Sequence, residues 1–160
     1  MASHESPLPT VAEVLALPEM QAGAPELAAG AAGLQRRVRW AHVASDAGIA
    51  GSVDGGELVL MTATAWPRDP HEQAGFTEKL IEAGIAAIAL ELGRGLDDPP
   101  GEMMASCDAH DVPLIVLHRE VRFVQITQRV HQRVLGAQTE ALEARSAVHA
   151  MLTELGLNRS

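Results

Sequence analysis

Histidines, one cysteine and several neighbouring carboxylates are the side chains here that could carry metal or acid–base chemistry. His42, His71, His110, His118, His131 and His149 form no His-x-x-x-His pair and have no cysteine at ligand spacing, so no metal site is expected. His71-Glu72 lacks the second histidine that a zinc-protease helix needs. Cys107 is the single cysteine, so it has no disulfide partner within the chain. It falls in a stretch that reads as helix, where a small buried hydrophobe fits better than a nucleophile. Asp97-Asp98 precede Pro99-Pro100 and read as a helix lead-in, whereas Glu57 opens a strand and reads as a structural polar contact. The chain has no G-x-S-x-G elbow and no G-x-x-x-x-G-K-[ST] loop, and Gly30 with Gly33 leaves a dinucleotide fingerprint incomplete. The expectation is therefore no catalytic residue, no cofactor and no enzyme.

What remains is binding. In open α/β sheets, ligands collect beyond the carboxyl ends of parallel strands, where several loops converge. Three such ends are legible: Thr62-Ala63-Thr64-Ala65-Trp66, Glu91-Leu92-Gly93-Arg94 and His118-Arg119-Glu120. Thr62 and Thr64 offer hydroxyls, Trp66 a ring, and Arg94 a planar guanidinium between glycines. With His118 and Arg119 they form the candidate site, suited to a small polar or anionic metabolite. Plain structural roles stay open: a turn for the threonines, a core lid for Trp66, solvation for the strand-end charges. The basic run Arg36-Arg37-Val38-Arg39 is expected to make internal salt bridges.

The elements that must position these residues follow from hydrophobic spacing. Residues 1–9 are polar and proline-containing and read as a disordered lead. Thr10 and Glu13 have the capping-box spacing, opening a short helix to Leu17 that Pro18 stops. A Gly/Ala-rich stretch follows, with at most a short strand near Leu27–Ala29. Strands are expected at Val38–Ala44, Glu57–Thr62, Ile85–Leu90 and Pro113–His118, with helices at Pro70–Ala83 and Pro99–His110. On the first of these helices Ala74, Phe76, Leu80 and Ile81 share a face. Strand, helix, strand, helix, strand predicts a parallel sheet, and nearly all-apolar strands predict one covered on both faces. The fold class is thus α/β: a small, mostly parallel sheet with flanking helices, then a long C-terminal coiled-coil-like helix.

That last helix has its own pattern. Val130, Val134, Ala137, Ala141, Ala144, Val148, Met151 and Leu155 recur at alternating intervals of four and three, a heptad seam that predicts a homodimer. The alternative is one amphipathic helix packed back on the domain. The organisation expected is 1–9 lead, 10–123 α/β domain and 124–160 dimerisation or signalling helix.

The net charge of −9 sets this chain against direct contact with nucleic acid, whose phosphates carry the same sign. No apolar run approaches the roughly 18 residues needed to span a bilayer, and residues 1–9 lack a signal peptide's pattern, so a cytoplasmic protein is expected.

An ordered series of segments carries a family resemblance. Thr10-Val11-Ala12-Glu13-Val14-Leu15, Ala29-Gly30-Ala31-Ala32-Gly33-Leu34, Val38-Arg39-Trp40-Ala41-His42-Val43 and Gly55-Gly56-Glu57-Leu58-Val59-Leu60 come first. Ala83 to Leu90, Val112 to Leu117 and Glu120-Val121-Arg122-Phe123 continue it. Together they resemble the N-terminal domain of PucR-type, purine catabolism regulator-like transcription factors over roughly Thr10 to Leu135. The resemblance implies an effector-sensing module, normally followed by a middle domain and a C-terminal helix-turn-helix. The leading reading is effector binding coupled through the helix after Phe123 to the arrangement of two protomers; the alternative is a dimerisation scaffold without a ligand. Departures fall at Ala44 to Ile49, at Met61-Thr62-Ala63-Thr64, where the family often has Thr-Thr-Gly, and at His118, where a proline is typical. Losing that glycine stiffens the loop expected at the pocket, so effector identity does not carry over.

Overall fold

The structure is a computed structural model that describes residues 7–93 and 97–156. Thr10 makes the capping box expected of it: its hydroxyl accepts from the Glu13 amide at 3.1 Å, and the Glu13 carboxylate accepts from the Thr10 amide at 3.3 Å. The helix it opens, α1, covers Val11–Leu15. Pro18 does not simply end a helix; it stands at the first position of a second one, α2 (Pro18–Gln21), where an N–H would have no partner in any case. Part of the expected lead is packed as well, since Pro9 is buried and its carbonyl accepts from the Val38 amide at 2.8 Å.

Five strands form one sheet in the order β1-β5-β4-β3-β2: β1 (Pro25–Ala29), β2 (Trp40–Ala44), β3 (Glu57–Thr62), β4 (Ala87–Glu91) and β5 (Leu114–Leu117). All neighbours run parallel except β1, which lies antiparallel to β5 at the edge. The helices α3 (Pro70–Glu82) and α4 (Gly101–His110) make the crossovers from β3 to β4 and from β4 to β5. The expected strand near Leu27 is thus β1, complete with a register shift between Leu27 and Ala29.

Alternation along the strands feeds two cores. Val59, Met61, Ile88 and Leu90 point to the face covered by α3 and α4, meeting Phe76, Leu80, Met103 and Cys107. Leu58, Leu60, Ala87 and Ala89 point to the other face, meeting Val14 and Met20 of the short helices and the long helix α5 (Phe123–Glu154). The side chain of Ala74 lies outside the description.

The Gly/Ala stretch after β1 is dictated by close approach. A Cβ at Gly30 would run into the Val112 carbonyl, and one at Gly33 into the Asp111 carbonyl. Gly30 also has φ +72°, and its amide donates to the Asp108 carboxylate at 2.7 Å. Arg36, Arg37 and Arg39 depart from expectation. They donate to main-chain carbonyls rather than to carboxylates: Arg36 to Asp111 and His110 at the end of α4, Arg37 to Leu8, and Arg39 to Gly55. A guanidinium at a helix C-terminus satisfies carbonyls that have no partner within the helix.

The heptad of α5 is divided between two surroundings. Ile126, Val130, Val134 and Ala137 are buried on the sheet, and Arg129 and Arg133 pair with Glu19 and Glu13 of α2 and α1. Val130, Val134 and Ala137 therefore serve the body's own core. Past Ala137 the apolar stripe is open: Val148 is 51% exposed, Met151 54% and Leu155 65%. Of the described helices none is long and apolar enough to cross a membrane.

Candidate functional site at the carboxyl ends of the strands

The parallel strands end level with one another. Thr62 pairs with Glu91, and Glu91 with Leu117, across β3, β4 and β5. Beyond the last two strands lies a cleft of about 280 Å³, bordered by Glu91 and Gly93 on one side and His118, Arg119 and Glu120 on the other, with Asp97 joining them. It stands where the topology of an open parallel sheet places ligands.

Its two anticipated members are held by main-chain and side-chain bonds. The Arg119 amide donates to the Gly23 carbonyl at 3.0 Å, which fixes the backbone of a residue that borders the cleft. His118 Nε2 stands 3.0 Å from Glu26 Oε1, so the ring leans towards β1. Both partners of that pair are well exposed, and solvent limits what it contributes.

The other three described candidates turn to structural partners. The Thr62 and Thr64 hydroxyls bond each other at 2.6 Å, in the turn after β3. The Trp66 ring packs edge-on against Phe76, with centroids 5.6 Å apart and planes at 86°. None of the three borders the cleft. Arg94 lies outside the described residues.

Three carboxylates outside the candidate set do border it: Glu91 and Glu120 from the strand ends, and Asp97, expected only as a helix lead-in. Burial pushes the Glu91 carboxyl above its ordinary value, the charge of Glu120 adds to that, and a bond from the Val121 amide opposes both. The signal for Glu91 was present in the sequence, as the first ionisable residue after the run Ile85–Leu90. Among the described residues no group of three His, Cys, Asp or Glu side chains is placed to hold a metal ion. Cys107 is buried, and burial, with Asp108 and Glu78, pushes its thiol up to about 12, so it is a poor nucleophile.

The arrangement can bind a small polar molecule. Among the described residues, Arg119 and three carboxylates around a small cleft offer both donors and acceptors to a polar molecule, with the acceptors in excess.

Comparison with known proteins agrees with the residues that carry the resemblance. Residues 13–134 match the model of the PucR family, described as the purine catabolism regulatory protein-like family. The purine catabolism regulatory protein of Bacillus subtilis is 24% identical over 127 residues, covering 79% of this chain and 24% of its own length. The transcriptional activator PmfR of Paenarthrobacter nicotinovorans is 27% identical over 124 residues, covering 78% of this chain and 26% of its own length. The chain thus spans about a quarter of the length of these curated relatives. Among solved structures, the CBS and DRTGG domains of the regulatory region of Clostridium perfringens pyrophosphatase, a crystal structure with the activator diadenosine tetraphosphate, align with a TM-score of 0.49 at 12% identity, covering 77% of this chain and 49% of that one. With a family match extending from α1 into the sheet-packed half of α5, this chain belongs to the PucR family of purine catabolism regulatory protein-like transcriptional regulators.

Proposed function

We propose that this chain is the effector-sensing part of a cytoplasmic PucR-type regulator, without catalytic activity, and that the effector is a small polar metabolite bound in the cleft between β4 and β5. The observation that carries the reading is the cleft's place at the carboxyl ends of β4 and β5, lined by His118, Arg119 and Glu120 of the segment that leads from β5 into α5. Val121 lies in the short link between β5 and α5, so a ligand that engages Glu91, Arg119 or Glu120 pulls on the segment that leads into the long helix. A ligand shifts such an arrangement only through unequal affinity for two positions of the helix.

The excess of carboxylates among the described lining residues favours a molecule with N–H donors over a bare anion, while Arg119 can receive a carbonyl. An amide- or urea-like metabolite satisfies both. The receiving element in this reading is a homodimer, in which a second copy covers Ala141, Ala144, Val148, Met151 and Leu155. DNA contact falls to other parts of the regulator, given the net charge of −9.

Thermal-shift screening of purine breakdown products and related small acids tests the sensor. Saturable stabilisation by one of them, lost in Arg119→Ala, is expected. No stabilisation by any member, together with an empty cleft in crystals grown from the mixtures, would leave the domain as a scaffold.

A further inference from the structure

At the opposite edge of the sheet, the amino ends of β2 and β3 border a second hollow of about 330 Å³, which the proposed sensing cleft does not use. Trp40 and His42 come from β2, Asp54 from the turn into β3, Glu57 from the start of β3, and Gln138 from α5. Trp40 is 36% exposed. His131 of α5 covers one face of its indole, with ring centroids 3.6 Å apart and planes at 12°. The imidazole is held in turn at the Ala41 backbone, with Nε2 at 3.1 Å from the carbonyl oxygen and 3.3 Å from the amide nitrogen.

The polar lining is also anchored. Glu57 is only 4% exposed, yet its carboxylate faces no cation in the turn: its two oxygens accept from the Asp54 and Gly55 amides, each at 2.7 Å. Each oxygen keeps a further acceptor position. Arg39 closes the rim, spending its guanidinium on the Gly55 carbonyl at 3.1 Å, while its stem packs where a Cβ on Gly56 would stand. Two carboxylates against one engaged guanidinium leave the hollow net negative beside the negative face of an indole ring. That combination attracts a flat cation.

We propose that this hollow is a binding site for a planar nitrogen cation, such as an amidinium, a guanidinium or a protonated aromatic amine, stacked at Trp40 with its N–H groups on Asp54 and Glu57. Because Gln138 borders the hollow and its Trp40 is stacked on His131 of the same helix, occupancy bears on the middle of α5, at a point remote from the β4–β5 cleft.

Benzamidine is the probe, with benzoate as its anionic counterpart. The chain has two tryptophans, so two indole N–H signals report in a nitrogen–proton correlation spectrum of the unaltered protein. The Trp40 signal is expected to move saturably with benzamidine, the Trp66 signal to stay, and benzoate to move neither. Asp54→Asn, an exposed substitution that leaves the core intact, is expected to weaken benzamidine about tenfold, the worth of a charge-assisted hydrogen bond. No saturable movement of the Trp40 signal, equal binding of benzoate, or unchanged affinity in Asp54→Asn would each overturn the proposal. The β4–β5 cleft has no tryptophan in its described lining, so the Trp40 signal separates this site from the sensing cleft.

Discussion

Glu91 at the end of β4 and Glu120 just ahead of α5 border the same cleft, and the charge of Glu120 holds the Glu91 carboxyl above its ordinary value, on top of what burial does. The two acids therefore work against each other when both are ionised. The Val121 amide acts in the other direction and lowers the Glu91 carboxyl, but less than burial and Glu120 raise it.

A stability prediction follows from the sign of that shift. A carboxyl raised in the folded state binds its proton more tightly there than in the unfolded chain. Its stabilising contribution is full below the ordinary carboxyl value and is lost as pH rises through the raised one. Glu91→Gln keeps an acceptor for Val121 and removes the charge. The variant should melt higher than the natural protein at pH 7 to 8, and the gap should close as pH falls below the ordinary glutamate range of about 4 to 4.5. Melting curves across pH read this directly; a variant that melts lower at neutral pH would show that the ionised carboxylate is a net stabiliser.

Cys107 should behave as an inert thiol. With its thiol pushed up to about 12, at pH 8 only about one molecule in ten thousand is thiolate, and the sulfur is buried besides. Alkylation by iodoacetamide in native buffer is expected to be slower by orders of magnitude than in concentrated urea. Mass spectrometry of timed samples gives both rates.

How α5 divides was only half legible in the sequence. The intervals of four and three from Val130 to Leu155 are one continuous pattern, and hydrophobic spacing carries no mark of what covers each turn. The sheet face bounded by Leu58, Leu60, Ala87 and Ala89 needed a third helix, and the first half of α5 supplies it. The strands themselves were easier, because runs such as Leu58–Met61 are apolar on both sides and suit no other setting. Site residues were hardest. Thr62, Thr64 and Trp66 stand at a strand end, as expected, but a side chain's direction beyond that end depends on its packing, and they turn to one another and to Phe76. The carboxylates Glu91 and Glu120, distant in sequence, meet only because β4 and β5 are neighbours in the sheet.

The two halves of α5 should respond differently to substitution. Ile126→Ala opens a cavity under the sheet and should cost about 2–5 kcal/mol in denaturant unfolding. Val148→Ala, at an exposed position on the second half of α5, should change the unfolding of a dilute, monomeric sample by no more than about 0.5 kcal/mol. Met151→Glu places a charge on the open stripe and should lower the mass seen by light scattering at high concentration, without altering the dilute unfolding curve. Equal masses for the two proteins would remove the stripe as the dimer contact.

Substitutions around the strand ends should separate the residues that bind from those that only stand nearby. Arg119→Ala removes the cleft's described guanidinium while its backbone stays tied to Gly23, so the fold should persist and effector affinity should fall about tenfold or more. Glu120→Gln should also weaken binding of a donor-rich effector, and in addition it should lower the Glu91 carboxyl, because the opposing charge is gone. Thr64→Val breaks only the bond to Thr62 and should leave affinity unchanged. Isothermal titration with the effector found by thermal shift compares the three variants on one scale. If Thr64→Val loses affinity and Arg119→Ala does not, the effector sits over β3 rather than in the cleft, and the route from ligand to α5 through Val121 is wrong.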